Sequence, residues 1–251
     1  LGRVWPQSSL VVEDDTHHAM LAGYLRAGQH AEPNLATVAS LTSTPTNAQT
    51  VWESIARPLP TDDPVSGLRR KVILGPPTPW SRAGIDPRWG FMLGLWRRLE
   101  EAGIDTIIDL GRLATPLTST PQLIAAPIVE DADMILVMIE ARLRDVAGAH
   151  TMVEGLAEQM NLAGAHQRLG LLVHRGGAAR GVPEFTDREI TSALKLPVCG
   201  SIVHDPVGAA QLSDGVGQRF DRSRLGRSLS KVAAGLVEDI DKRRAEGKED
   251  L

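Results

Sequence analysis

The fold is decided by SLVVEDD (residues 9–15) and TIIDLGR (residues 106–112), two apolar runs that stop abruptly on acidic residues. Continuous apolar runs without alternation are typical of strands buried on both faces of a parallel sheet. In α/β proteins, ligands bind at the carboxyl ends of such strands. Acidic residues at two of these ends therefore suggest a site for a metal ion and a nucleotide.

Further apolar runs extend this pattern along the chain, so that strands are predicted over residues 10–13, 71–74, 106–110, 134–139, 169–173 and 198–203. Helical patterns lie between them, and repeated strand–helix–strand units favour right-handed crossovers. We therefore expect a single α/β domain over residues 1–251. Its sheet is predicted to be doubly wound and mainly parallel with helices on both faces, a Rossmann-like three-layer sandwich.

Several helices are predicted from the spacing of their apolar residues or from capping signals in the sequence. One apolar stripe at three-four spacing comprises Val146, Ala149, Val153, Leu156 and Met160. Asp86-Pro87 and Asp205-Pro206 each look like an N-cap followed by proline at the first helical position. Residues 186–189 (TDRE) have the form of a capping box.

Composition excludes several classes of protein. A chain of 251 residues with 42% hydrophobic and 23% charged residues is ordinary for a globular protein. The net charge of −4 does not favour a generally basic, nucleic-acid-coating surface, although arginines at 219–227 leave a local patch open. Cys199 is the single cysteine, which excludes an intramolecular disulfide and, with no visible signal peptide, predicts a cytoplasmic location.

No phosphate-binding loop accompanies the acidic strand ends. The sequence contains no Gly-x-x-x-x-Gly-Lys-Ser/Thr motif, and it opens on Leu1-Gly2-Arg3 instead of methionine. We therefore expect the native start to lie upstream. The chain is either a trimmed nucleotide-binding protein or one that has lost its phosphate loop.

The order of these segments resembles the deviant Walker ATPases of the ParA/MinD type. Residues 10–15 resemble the strand with an Asp-x-Asp-type ending, residues 105–112 the Walker B strand, residues 132–138 the strand before a long helix, and residues 194–206 the late strand and the loop near the base. The resemblance spans most of the chain in order and spacing. It implies a divergent or N-terminally truncated member with ATP and Mg²⁺ as cofactors.

The resemblance assigns roles to three acidic residues. Asp109 would hold a magnesium-bound water, Glu13 would support the metal shell, and Asp15 would orient or activate the attacking water. The alternative for Asp15 is that it caps a helix starting near His17. Without a lysine and backbone amides to hold phosphates, these acids alone support no efficient hydrolysis.

The resemblance also assigns residues near the nucleotide base. His174 stands where the family often has an adenine-contacting asparagine, Arg175 follows it, and Asp205 is the late acidic loop residue. These three are the candidate cofactor-binding residues. The alternative for residues 174–177 is a surface turn.

The family's phosphate loop follows a strand inside the sheet, upstream of the Asp-x-Asp strand. Here only about eight residues precede the first predicted strand, too few for a strand, a loop and a returning helix. Loss of that inner strand would leave two strands without a neighbour, which favours a truncated sequence over a natural protein of this form. The competing hypothesis to an ATPase is a pseudo-ATPase that acts as a binding or scaffold subunit.

Assembly and membrane attachment complete the sequence predictions. By resemblance, we expect a homodimer or a protein partner, with the face carrying Glu13, Asp15 and Asp109 near a two-fold axis. A C-terminal helix over residues 224–246 has one apolar face but a mixed-charge end, which favours packing on the domain over membrane attachment. No apolar stretch reaches the roughly 20 residues of a membrane span.

Overall fold

The structure is a computed structural model that describes residues 1–15, 33–41, 47–59, 67–76, 78, 81–111, 124–162, 166–177, 182–213 and 220–249. Its contacts divide the chain into two compact units. The first unit comprises Leu1–Ala114 and Ala210–Gln218, and the second comprises Thr115–Ala209 and Arg219–Leu251. The prediction of a single domain over residues 1–251 stays a prediction.

The first unit is built on a four-stranded sheet of order β2-β3-β1-β4. Its strands are β1 (Ser8–Glu13), β2 (Arg57–Pro58), β3 (Arg70–Ile73) and β4 (Ile104–Asp109). β1 pairs with β3 and β4 in parallel, and the two-residue β2 pairs with β3 antiparallel. The helices of this unit are α1 (Leu35–Ser40), α2 (Ala48–Thr50) with a π turn at Val51–Ile55, α3 (Arg82–Ile85) and α4 (Trp89–Glu101).

The second unit is built on a three-stranded parallel sheet of order β5-β6-β7. Its strands are β5 (Ile135–Glu140), β6 (Leu169–Arg175) and β7 (Val198–Val203). The helices that begin in this part of the chain are α5 (Ala126–Asp131), α6 (Leu143–Leu162), α7 (Asp187–Leu194), α8 (Pro206–Ser213) and α9 (Arg224–Glu249).

All six predicted strands are confirmed, and so is the Rossmann-like α/β class with parallel strands flanked by helices. The predicted stripe from Val146 to Met160 is buried along α6. Within the described residues the strands pair as two sheets, and β4 and β5 each have a strand partner on one side only. The exposed fraction of Met138, in the middle of β5, is 67%, unusual for a strand that the sequence predicts to be buried on both faces.

The capping signals have mixed outcomes. Thr186 and Glu189 form the predicted capping box of α7, and α8 begins at Pro206 directly after Asp205. The prediction for Asp86 is wrong: Asp86 and Pro87 lie inside a 3₁₀ turn, Asp86–Arg88, that leads into α4 without a side-chain cap. Proline fits this turn because its fixed φ suits any first helical position.

The C-terminal helix α9 packs on the sheet of the second unit. Val232, Ala233 and Leu236 are buried along it. A Cβ added to Gly200 on β7 would lie 2.8 Å from Cγ2 of Val232, so the helix approaches the strand closely where the side chain is missing. Near the other end of α9, the Arg244 guanidinium pairs with the carboxylate of Asp133 at 2.5 and 3.1 Å.

Candidate functional site

The two acidic strand ends of the first unit lie side by side. β1 and β4 run parallel, and Glu13 is paired in register with Asp109. The Asp14 amide then donates to the Asp109 carbonyl oxygen at 2.7 Å, which extends the pairing past the strand ends. The topology therefore brings the predicted residues of the two runs together at the carboxyl ends of two neighbouring strands, as the strand-end pattern predicts.

Asp109 and Asp15 meet around a glycine turn. The Gly111 amide donates to Oδ1 of Asp109 at 2.9 Å, and Gly111 has a φ of +67°. A Cβ on Gly111 would overlap the Asp15 carboxyl group. Only glycine allows both this left-handed backbone and this close approach. Asp109 is exposed, and Asp15 is half-buried.

Glu13 has a different environment. Its exposed fraction is 2%, and its Oε2 accepts a hydrogen bond from the Gly75 amide at 2.8 Å, just beyond β3. Asp14 is fully buried. Glu13 is therefore well placed to fix the loop after β3, and its support of a metal shell remains a prediction.

Magnesium prefers hard oxygen ligands and keeps much of its hydration. The accessible carboxylates of Asp109 and Asp15 fit this chemistry, whereas the buried Glu13 fits it less well. Within the part of the chain that the structure describes, no three histidine, cysteine or acidic side chains form a ready-made metal centre. His17-His18, a pair of adjacent histidines in the sequence, lies outside the described residues.

The candidate base-contacting residues lie in the second unit, at the carboxyl ends of its strands. His174 is on β6, and its side chain is 27% exposed. Its Nδ1 lies 3.8 Å from Oε1 of Glu140, the last residue of β5. The His204 ring, directly after β7, meets the His174 ring edge-on at 5.3 Å between centroids.

The guanidinium of Arg175 makes hydrogen bonds within the second unit. Its guanidinium donates to the Phe185 carbonyl oxygen at 2.7 Å and to Oγ of Ser201 at 3.2 Å, and it pairs with Asp187. These contacts hold the segment before α7 against β7. The geometry gives Arg175 a structural task, and its contact with a nucleotide remains a prediction.

Asp205 joins the starts of two helices. Its Oδ1 accepts from the Gly208 amide at 3.0 Å in α8, and its Oδ2 accepts from the Leu225 amide at 3.2 Å in α9. These hydrogen bonds, that from Gly208 foremost and then that from Leu225, hold the pKa of Asp205 below its usual value. A carboxylate that caps two helices keeps their loops in place; its role as a cofactor ligand remains a prediction.

Sequence reasoning missed three neighbours of His174. Glu140 and Arg142 follow the apolar run of β5, and His204 follows that of β7. Arg142 lies 3.1 Å from Glu140 and donates to the Gly177 carbonyl oxygen. The signal was present, because the strand-end pattern that singled out Glu13 and Asp109 also applies to the ends of β5 and β7.

Known structures resemble this chain over nearly its whole length. A ParA family ATPase from Chlorobium tepidum TLS has a TM-score of 0.67 at 15% identity, and the match covers 91% of this chain and 86% of that one. The MinD cell division protein of Aquifex aeolicus has a TM-score of 0.61 at 14% identity, covering 93% and 85%. The septum site-determining protein MinD complexed with Mg-ADP from Pyrococcus horikoshii OT3 has a TM-score of 0.60 at 15% identity, covering 92% and 84%.

Sequence comparison adds nothing to this likeness: no protein-family model matches the chain, and no curated protein matches it. None of the helices in the described ranges is both long and apolar enough to cross a bilayer. The fold and the strand-end carboxylates define a Rossmann-like α/β protein. Its fold is of the ParA/MinD type, as the sequence predicts.

Proposed function

We propose that this protein is a ParA/MinD-like regulator that binds ATP with Mg²⁺ in its full-length form, dimerises in response to nucleotide, and acts in partitioning, positioning or secretion. The observation that carries the proposal is the pairing of β1 with β4 in a ParA/MinD-type fold. This pairing brings Asp15 and Asp109 together at the carboxyl ends of the two strands. The complex of one structural neighbour with Mg-ADP supports the choice of cofactor.

A bound Mg²⁺ would supply positive charge to offset that of the phosphates. Asp109 would hold a magnesium-bound water and Asp15 would orient the attacking water, with the Gly111 turn beside both carboxylates. Glu13 stabilises the loop after β3 by accepting the hydrogen bond from the Gly75 amide. Phosphates also need a cradle of backbone amides and a lysine, because carboxylates alone repel them.

A second candidate function is that of a pseudo-ATPase, a non-catalytic binding or scaffold subunit. Specific observations favour it. Arg175 and Asp205 are both engaged in holding loops and helix starts, and His174 replaces the adenine-contacting asparagine of the family. Both candidates place the protein in the cytoplasm as a homodimer or with a protein partner.

Calorimetry on the protein expressed from its native start separates the two candidates. The ATPase candidate predicts Mg-ATP binding that Asp109→Ala abolishes, together with nucleotide-dependent dimerisation in light scattering. Asp239→Ala, which removes an exposed aspartate on α9, is the matched control and should bind normally. Absence of binding and of nucleotide-dependent assembly in the native protein would overturn the ATPase candidate and favour the scaffold.

A further inference from the structure

A cavity of about 400 Å³ lies between α1 and α3 in the first unit. Small side chains leave this space open, because the two helices meet it mainly with alanine, serine and glycine. A Cβ added to Gly84 would find no atom within 4 Å. The described residues that line the cavity are Ala36, Ala39, Ser40, Ser81, Gly84, Ile85 and Arg88.

The size of the cavity sets it apart from a packing defect. Protein interiors contain few voids larger than a water molecule, whose share of liquid volume is about 30 Å³. Sites for small organic molecules have volumes of about 300–1,000 Å³. Because Gly84 and Arg88 are exposed, the cavity opens to solvent and a small molecule can enter it.

One part of the lining is apolar and another can form hydrogen bonds. Ala39 and Ile85 are buried and provide an apolar surface. Oγ of Ser81 lies 3.0 Å from Oγ1 of Thr78, and either hydroxyl can be the donor of this hydrogen bond. When Thr78 donates, the Ser81 hydroxyl is left to donate to a ligand.

The charge of the described lining is positive. Arg88 is its one charged residue, and no ion pair or hydrogen bond within the described residues involves the Arg88 guanidinium. Arg88 is also the N-cap residue of α4, whose first turn holds no acidic side chain, so the positive end of the helix dipole adds to its charge. The acidic Asp86, two residues earlier, is not among the lining residues. A guanidinium matches the geometry of a carboxylate, with two parallel N–H donors for two oxygens.

We propose that the cavity between α1 and α3 binds a small organic carboxylate. Its apolar body packs on Ala39 and Ile85, and its carboxylate accepts hydrogen bonds from Arg88 and Ser81. The site requires no nucleotide. Its test is therefore independent of the proposed function.

Amide NMR spectra of the full chain, recorded during a titration with benzoate, test this site. We expect saturable shifts at residues 36–40 and 84–88, with a dissociation constant on the order of millimolar for so small a probe. Benzamide has the shape of benzoate without its charge, and inorganic phosphate has the charge without the apolar body. Both should bind more weakly than benzoate.

Two arginine variants test the role of the charge. Arg88→Gln should weaken benzoate binding about tenfold and leave benzamide binding nearly unchanged, because a charge-assisted hydrogen bond is lost. Arg98→Gln is the matched control: it removes an exposed arginine of α4 that does not line the cavity, and it should bind benzoate normally. The same amide spectra show whether each variant is folded.

Three results would each overturn the proposal. They are the absence of saturable shifts around the cavity, binding of benzamide or phosphate as tight as that of benzoate, and unchanged benzoate affinity in Arg88→Gln. The comparison of the three probes uses the unmodified protein, so it decides the proposal even where a variant fails to fold.

Discussion

At the scale of single residues, Asp205 shows how one side chain organises the end of a strand. Its carboxylate accepts hydrogen bonds from the backbone amides of Gly208 in α8 and Leu225 in α9. These hydrogen bonds hold the pKa of Asp205 below its usual value. A carboxylate with a lowered folded-state pKa contributes stability above its unfolded value, and that contribution is lost as pH falls through the folded value. Asp205→Asn should therefore lower the free energy of unfolding at pH 7. It should also flatten the loss of stability below about pH 4. Urea unfolding across pH measures both, with Asp239→Asn as the control; equal curves for the two variants would contradict the capping role.

Replacing each of two glycines with alanine should change the free energy of unfolding in opposite directions. Gly111 has a φ of +67° and lies against Asp15, whereas Gly94 is at an exposed position of helix α4 with open space around it. Gly111→Ala should destabilise the protein by roughly 1 kcal/mol or more because alanine resists the left-handed region and would displace Asp15. Gly94→Ala should stabilise it by about 0.5–1 kcal/mol through helix propensity. Denaturant midpoints at constant slope measure both, and a loss of equal size in the two variants would contradict the role of the turn.

At the scale of elements, α7 is well capped at one end and strained at the other. Thr186 and Glu189 form its capping box, but it ends on Lys195 with a φ of +58°. Glycine is the residue that adopts this helix-ending conformation without a Cβ penalty. Lys195→Gly should therefore raise the free energy of unfolding by several tenths of a kcal/mol, up to about 1. Lys242→Gly, within α9, should lower it by about 1 kcal/mol. Thermal unfolding shows whether each variant is more or less stable than the unmodified protein. A loss of stability in Lys195→Gly would show that the lysine side chain itself stabilises the end of α7.

Elements also show what the sequence could and could not predict. The long apolar strands were predictable because burial on both faces demands continuous apolar residues, whereas β2 has two residues, one of them Pro58, and no periodic signal. Asp86-Pro87 was misjudged because a 3₁₀ turn and a helix start share the same local preferences. The acids of β1 and β4 were found from their place at strand ends. Glu140 and His204 also stand at strand ends, but their contacts with His174 depend on which strands are neighbours, and the strand-end pattern does not record that.

At the scale of the whole molecule, the phosphate cradle decides activity. Residues 1–251 contain candidate carboxylates for magnesium and water, but their sequence has no Gly-x-x-x-x-Gly-Lys-Ser/Thr motif for phosphates. Positioning and charge stabilisation supply nearly all of phosphoryl-transfer catalysis, so we expect this chain to release phosphate from ATP only at the background rate. If the native gene encodes a segment before Leu1 that carries a phosphate loop, adding that segment should recover binding and turnover, and Asp109→Ala should then remove both.

The measurement is phosphate release with Mg-ATP by the purified chain and by the extended protein, each with and without Asp109→Ala. Asp239→Ala serves as the matched control. Robust magnesium-dependent turnover by residues 1–251 alone, abolished by Asp109→Ala and unaffected by Asp239→Ala, would show that another segment of this chain holds the phosphates. An extended protein with a phosphate loop that still fails to bind nucleotide would instead favour the scaffold, because Asp15 and Asp109 would then serve the β1–β4 edge as structural groups only.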